Sequence, residues 1–490
     1  MSKTVGIIGA GIGGLALSIR LANQGFKVIV FEKNSYPGGK LSELKLDGFR
    51  FDKGPSLLTM PSLIGELTNL QTTKHKFEYQ KLETITNYFY PDGTQLKATA
   101  NLEDFADEVH LKLNEKKESV LRYFKRNAFY FKTTEDLFLK QSLHQIKNFI
   151  NIKTVKGILF SPFLGLFSTM HKKNAQTFSN PKTVQLFNRF ATYNGSNPYK
   201  APALMNMISH LEFNLGAYLP VKGMHQITLH LVQLAEDAGV EIKYNEKVET
   251  LNVGSNKRIA SIKSNSVNYP FDIVASDVDI RVLYKHLLPG SFTPQKLMQQ
   301  EKSSSAYVFY WGIKKEFTSL GLHNILFSDD YKKEFDYLFT KQFPTDDPTI
   351  YINITSKYCK DDAPDGCENW FVMVNVPHNK NTSISYAADI RKNVVSKINN
   401  MLKTDIEQYI ITESTLSPYD IENQTSSFGG SLYGNSSNNK FAAFLRHANF
   451  SSSIKNLYLV GGSVHPGGGI PLCLLSAKIA SQLIVDREKK

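Results

Sequence analysis

Near the start of the 490-residue chain stands Gly9-Ala10-Gly11-Ile12-Gly13-Gly14, a G-x-G-x-x-G set between two apolar runs. Residues of this type at this spacing bind phosphate. Gly9 permits a tight turn, Gly11 lets the backbone approach a pyrophosphate, and Gly14 lets a helix pack closely on a strand. The N-terminus of that helix offers partial positive charge to the phosphates. Glu32 follows 18 positions after Gly14, where a carboxylate accepts from both ribose hydroxyls. A plain tight turn is the alternative reading, and the placement of the acid favours a dinucleotide.

Two further glycine clusters narrow the chemistry. Pro37-Gly38-Gly39-Lys40 lies just past Glu32. A nicotinamide enzyme has no need of it, whereas a chain that passes the phosphates and ribityl of FAD a second time needs backbone without side chains. The third cluster is Tyr458-Leu459-Val460-Gly461-Gly462-Ser463-Val464-His465-Pro466-Gly467-Gly468-Gly469-Ile470-Pro471. An apolar strand runs there into five glycines and then into a helix that Pro471 opens. A helix N-terminus facing a flavin favours the anionic reduced ring. Of the twelve histidines only His465 lies inside a cofactor motif. An acid–base role and a loop residue bonded to backbone are both open to it. No Ser-His-Asp set and no metal-ligand spacing is present, so no metal is expected.

The elements that must position these residues follow from periodicity. Val5–Ile8 and Val28–Phe31 read as buried strands flanking a helix from Ile12 to Gln24 that Gly25 ends. Leu44 to Phe51 alternates across Asp47-Gly48, a hairpin signal. Residues 112 to 173 read as helices, with Leu121, Phe124, Ala128 and Phe131 in one stripe and Leu139, Leu143, Ile146 and Ile150 in another. Met224 to Ala238 is a further helix, followed by strands at Val240–Lys243 and Asp272–Ser276. Residues 305 to 425 read as strands and turns with one helix near Ala387 to Leu402.

With these motifs the chain resembles the carotenoid and phytoene desaturases of the flavin amine-oxidase superfamily. The resemblance runs nearly end to end and is strongest at residues 5 to 60, 215 to 280 and 440 to 485. Tyr218-Leu219-Pro220-Val221-Lys222-Gly223-Met224 is similar to that family's Y-P-x-G-G-M element. Glu246-Lys247-Val248 resembles its adenine-contacting strand, and Phe444-Leu445-Arg446-His447-Ala448-Asn449 its arginine-bearing segment. Lys40, Lys222 and Val464 depart from the family's usual arginine, glycine and threonine or alanine, which touches polar contacts rather than the cofactor. The resemblance implies FAD held by Gly9, Gly11, Gly14, Glu32, Lys33, Gly38, Gly39, Lys40, Gly54, Pro55, Ser56, Val248, Gly461, Gly462, Gly469, Ile470 and Pro471.

It also implies an α/β fold. The expectation is a Rossmann-type FAD-binding domain from residues 1–70, 213–285 and 431–490, a mixed-sheet substrate domain from 71–111 and 286–430, and a helical membrane-facing region at 112–212. The reaction implied is loss of a hydride from an allylic carbon to flavin N5 and of a proton from its neighbour. Placement of one C–H bond is then the main task of the pocket. Arg446 is expected to position a carbonyl, flavin or substrate hydroxyl. The last glycine cluster is closer to 1-hydroxycarotenoid 3,4-desaturases than to phytoene desaturases. Isomerases, terminal-carbon oxidases and amine oxidases share the fold, as do prenyl-sheltering proteins of the GDP-dissociation-inhibitor type, which bind no flavin.

Charge adds a partner. The net charge is +12. Between Lys112 and Lys173 there are 13 Lys and Arg against four acids, a local excess of +9. Lys153 and Lys156 precede the apolar run from 157 to 167, and His171, Lys172 and Lys173 follow it. That arrangement suits an interfacial segment on anionic lipid. A solvated helical face is the bland reading, and nucleic acid is the poorer one because no recognition module accompanies the charge. No run reaches the ~20 apolar residues of a span. Three cysteines and no signal-like leader point to a reducing cytoplasm, with the protein on the inner face of the membrane. Oligomeric state stays open.

Overall fold

The computed structural model describes residues 2–145, 165, 167–288, 290–378, 386–439 and 446–488. Its organising element is a five-stranded parallel sheet drawn from distant segments. The order is Leu457–Leu459, Ile273–Ser276, Thr4–Ile8, Lys27–Phe31 and Glu241–Lys243. Every pairing in it is parallel. Parallel strands must be covered on both faces, which explains runs such as Val5 to Ile8 with no polar side chain among them. The helix Ile12–Ala22 packs against both Gln226–Asp237 and Ile470–Glu488. Gly25, at φ +85°, closes the first helix three residues after Ala22, where only glycine adopts the left-handed turn freely.

The Asp47-Gly48 signal gives the expected hairpin between Glu43–Leu46 and Phe49–Asp52. Both turn residues have positive φ, as a two-residue turn of this twist requires. A second, mixed sheet of seven strands has the order Ile410–Leu416, Ser305–Ile313, Glu368–Val376, Ile350–Ile354, His323–Leu326, Thr84–Phe89 and Gln95–Thr99. Among the described residues its only parallel pairing joins His323–Leu326 to Thr84–Phe89. The helix Ala387–Leu402 covers one side of it through Ile390, Val394 and Ile398, against Trp311 and Trp370.

The helical region departs from the expected stripes. Lys117–Phe138 is one long helix, but its buried face runs through Val120, Tyr123, Phe124, Asn127 and Phe131. Leu121 and Ala128 are half-buried flanks of that face. Aromatic packing of Tyr123 on Phe187, with ring centroids 4.3 Å apart, draws this face inward. The second stripe is not a helix as far as residue 145, because the chain turns at Leu139 and Leu143. Ile146, Ile150, Lys153, Lys156 and most of the 157 to 167 run lie outside the described residues. Among the described residues no helix is long and apolar enough to cross a membrane, and the three cysteines are free.

Candidate functional site

The three glycine clusters, remote in sequence, meet at the carboxyl ends of the parallel strands, where open α/β sheets bind ligands. Gly9 turns at φ +97° and its N–H donates to Phe31 O at 2.8 Å. The buried Glu32 carboxylate accepts from Ala10 N–H and Asn34 N–H, both at 2.9 Å. It is thereby held beside the first glycine turn. Glu246 N–H donates to Glu32 O at 2.8 Å, which brings the strand starting at Val248 against the same acid.

The second cluster lies directly on the first. Gly38 N–H donates to Ala10 O at 2.8 Å and pairs as a parallel bridge with Gly11. A Cβ on Gly54 would sit 2.0 Å from Lys40 O, so residues 54–56 press on the far side of that loop. Lys40 itself is half-buried and donates to Leu432 O at 2.6 Å, and desolvation lowers its pKa. Lys33 donates to Asn423 O and thereby ties this loop to the mixed-sheet half. Ser56 has a side-chain partner of its own. Its hydroxyl is 2.6 Å from Tyr351 Oη, which in turn bonds His323 Nδ1 at 2.7 Å, so it faces the mixed sheet. Lys222, where the resemblance has glycine, occupies φ +68°. That left-handed conformation costs a side-chain-bearing residue roughly 1–2 kcal/mol.

The third cluster closes the site. A Cβ on Gly13 would lie 2.9 Å from Gly461 N, so the first and last motifs touch. Between them sits Asp277, whose carboxylate accepts from Gly14 N–H at 3.0 Å. A Cβ would meet that carboxylate at 2.4 Å from Gly11 and at 2.0 Å from Gly461. Burial raises Asp277 to about 7, against the lowering effect of the Gly14 N–H. A carboxyl side chain thus already rests against the helix start, on surfaces that only glycines provide. Gly469, at φ +111°, has no atom within 4 Å of its Cβ position, which leaves open ground at the start of the helix Ile470–Glu488. Side-chain-free walls, a helix N-terminus and a buried ribose acceptor fit FAD.

The comparisons agree with this geometry. The family model for flavin-containing amine oxidoreductases matches residues 12–485. The chain belongs to that family. It is a flavin-dependent oxidoreductase, and FAD is its cofactor. A 1-hydroxycarotenoid 3,4-desaturase of a Flavobacterium species is 49% identical over 487 residues, which are 99% of each chain. A 4,4'-diapolycopene oxygenase of a Methylomonas species is 32% identical, over 99% of this chain and 98% of its own. In fold the chain matches cyclohexylamine oxidase from Brevibacterium oxydans along the whole of both chains, with a TM-score of 0.64 at 12% identity.

As in a flavin oxidoreductase, a cavity opens beside the last glycine cluster. Met60, Phe131, Met205, Met207 and Leu211 line one side of it, and Pro466 to Gly469 with Arg446 line the other. Arg446 is buried, and burial lowers it to about 10. Its guanidinium is committed to carbonyls, donating to Tyr433 O at 2.7 Å, Asn435 O at 2.9 Å and Gly462 O at 3.1 Å. It therefore braces the glycine loop and moves no proton. His465 also leaves the acid–base role. It is absent from the cavity wall, its Nε2 lies 2.8 Å from Gln141 O, and burial pushes its pKa down to about 4. A neutral imidazole donating to that carbonyl pins the loop. Asp277 escaped the sequence reading, although a residue directly after a parallel strand is where that reading should look.

Proposed function

We propose that the protein desaturates a carotenoid, removing two hydrogens across the 3,4 bond of a 1-hydroxylated chain end. The observation that carries this is 49% identity, end to end, to an enzyme with that name. The apolar cavity beside the glycine loop supports it, since a polyene offers almost no polar atoms to bind. When bound, FAD supplies the two-electron acceptor for the C–H bond that breaks. The protein's own residues do the rest by position. Met60, Phe131 and Leu211 exclude water from the reacting end, and Arg446 with His465 hold the glycine loop in one shape. No base is required to be strong, because positive charge developing at the allylic carbon spreads along the conjugated chain.

Incubation with candidate carotenoids in liposomes tests the reading. The expected product is lighter by two hydrogens, with a red-shifted spectrum. Gain of oxygen would assign a terminal oxygenase, the activity named for the Methylomonas relative. Unchanged mass with a new isomer would assign an isomerase.

The substrate dissolves in lipid, which makes residues 150 to 173 the contact with an anionic membrane on its cytoplasmic face. Supporting this, Phe167 is 78% exposed and Lys172 stands exposed on the helix Met170–Thr177. Each lysine near such a surface contributes about 1 kcal/mol. Replacing Lys153, Lys156, Lys172 and Lys173 by Gln is therefore expected to reduce flotation with anionic vesicles. Equal flotation of variant and parent would remove this surface from the proposal.

A further inference from the structure

The cavity beside the glycine loop has few polar groups, and they divide into two kinds. The Tyr193 hydroxyl donates to the Glu212 carboxylate, and Arg446 is committed to three carbonyls. Asn194 differs. It lines the cavity and is only 7% exposed, yet its side-chain amide makes no hydrogen bond among the described residues. The Ser437 hydroxyl, on the same wall, is likewise without a partner there, and so is that of Thr59, which is only half-buried. An amide that faces an otherwise apolar cavity and has no partner there is free to bond a polar group on whatever enters it.

The backbone holds both residues in place. Asn194 ends the short helix Arg189–Asn194, and the chain then turns at Gly195 with φ +55°. A Cβ on Gly195 would lie 2.7 Å from Ser303 Cβ, so the turn is pressed against the start of the mixed-sheet half. Ser196 Oγ accepts from Ser437 N–H at 2.8 Å and donates to Asn194 O at 3.2 Å. That hydroxyl ties the two cavity-lining residues to each other although 243 positions separate them in sequence.

We infer that Asn194, with Ser437 beside it, receives the tertiary hydroxyl of the substrate and is the specificity-determining residue for a hydroxylated chain end. This rests on the function proposed above. In such a substrate one methylene separates the hydroxyl-bearing carbon from the bond to be oxidised. The group that binds the hydroxyl must then share a cavity with the glycine loop that faces the flavin, as Asn194 and Ser437 do. An amide both donates and accepts, so one asparagine satisfies the hydroxyl's proton and a lone pair. A chain end without the hydroxyl leaves the amide unmatched. A site built for a hydroxyl rejects the analogue that lacks it.

The test measures binding and needs no turnover. A 1-hydroxycarotenoid and its deoxy counterpart are titrated into the FAD-loaded protein, and the change in flavin absorbance is followed. The parent is expected to bind the hydroxylated compound on the order of tenfold to a hundredfold more tightly, the range for one buried hydrogen-bonded group. Asn194→Leu, similar in volume, is expected to lose that preference while holding FAD and the deoxy compound as before. Asn194→Ala supplies the same reading should leucine disturb folding, and Ser437→Ala is expected to lose a smaller part. Undiminished preference in both Asn194 variants, or no preference in the parent, would overturn the inference. Selective binding by the parent without any desaturated product would instead defeat the proposed function and leave the hydroxyl site standing.

Discussion

Gly11→Val is expected to yield protein without bound flavin. The reason is steric and local. Gly11 precedes the helix Ile12–Ala22, and its Cβ position lies 2.4 Å from the Asp277 carboxylate. The first carbon of valine would therefore displace Asp277, and the branches would fill the space against the Gly38-Gly39 loop that pairs with Gly11. Neither neighbour is free to give way. The Asp277 carboxylate is bonded to Gly14 N–H, and Gly38 N–H is bonded to Ala10 O. The measurement is flavin absorbance relative to protein absorbance after gel filtration. Retention of the parent's flavin content would mean that the pyrophosphate does not lie at this glycine turn.

Arg189→Met is expected to lower stability by about 3–5 kcal/mol, the range for removing one partner of a buried ion pair. The Arg189 guanidinium donates to Glu212 at 2.8 Å and, through Nε, to Tyr88 Oη at 2.9 Å. It also lies 4.4 Å from the Phe190 ring centroid. The side chains of both charged residues are nearly inaccessible, at 6% and 1% exposure. Methionine roughly matches the volume of arginine, so the loss comes from stranding the Glu212 carboxylate away from water and not from a cavity. The expected signature is a marked fall in Tm for Arg189→Met, largely recovered in the double variant Arg189→Met/Glu212→Leu, where no charge is left unpaired. Equal Tm values for Arg189→Met and the parent would show that water reaches this pair. The effect should extend to the cavity, since the same short helix carries Asn194 at its end.

The sequence alone determined what depends on neighbours in the chain. The glycine turns, the first helix and its closing Gly25, the Asp47-Gly48 hairpin and the helix Ala387–Leu402 were all legible. A positive φ, an apolar period or a cap is dictated by a few consecutive residues. Glu32 was legible for the same reason, because the unit that places it spans fewer than 30 residues. Tertiary structure decided everything that depends on removing water from a polar side chain. Arg189, Asn194, Glu212 and Ser437 look in sequence like ordinary surface residues, and only the packing of distant segments buries them. His465 and Arg446 show the converse. Their motifs marked them for chemistry, but the carbonyls that engage them, at Gln141, Tyr433, Asn435 and Gly462, come from other turns of the chain. A hydrogen-bond donor has no role until its acceptor is fixed, and in this protein folding brings most of those acceptors from elsewhere in the sequence.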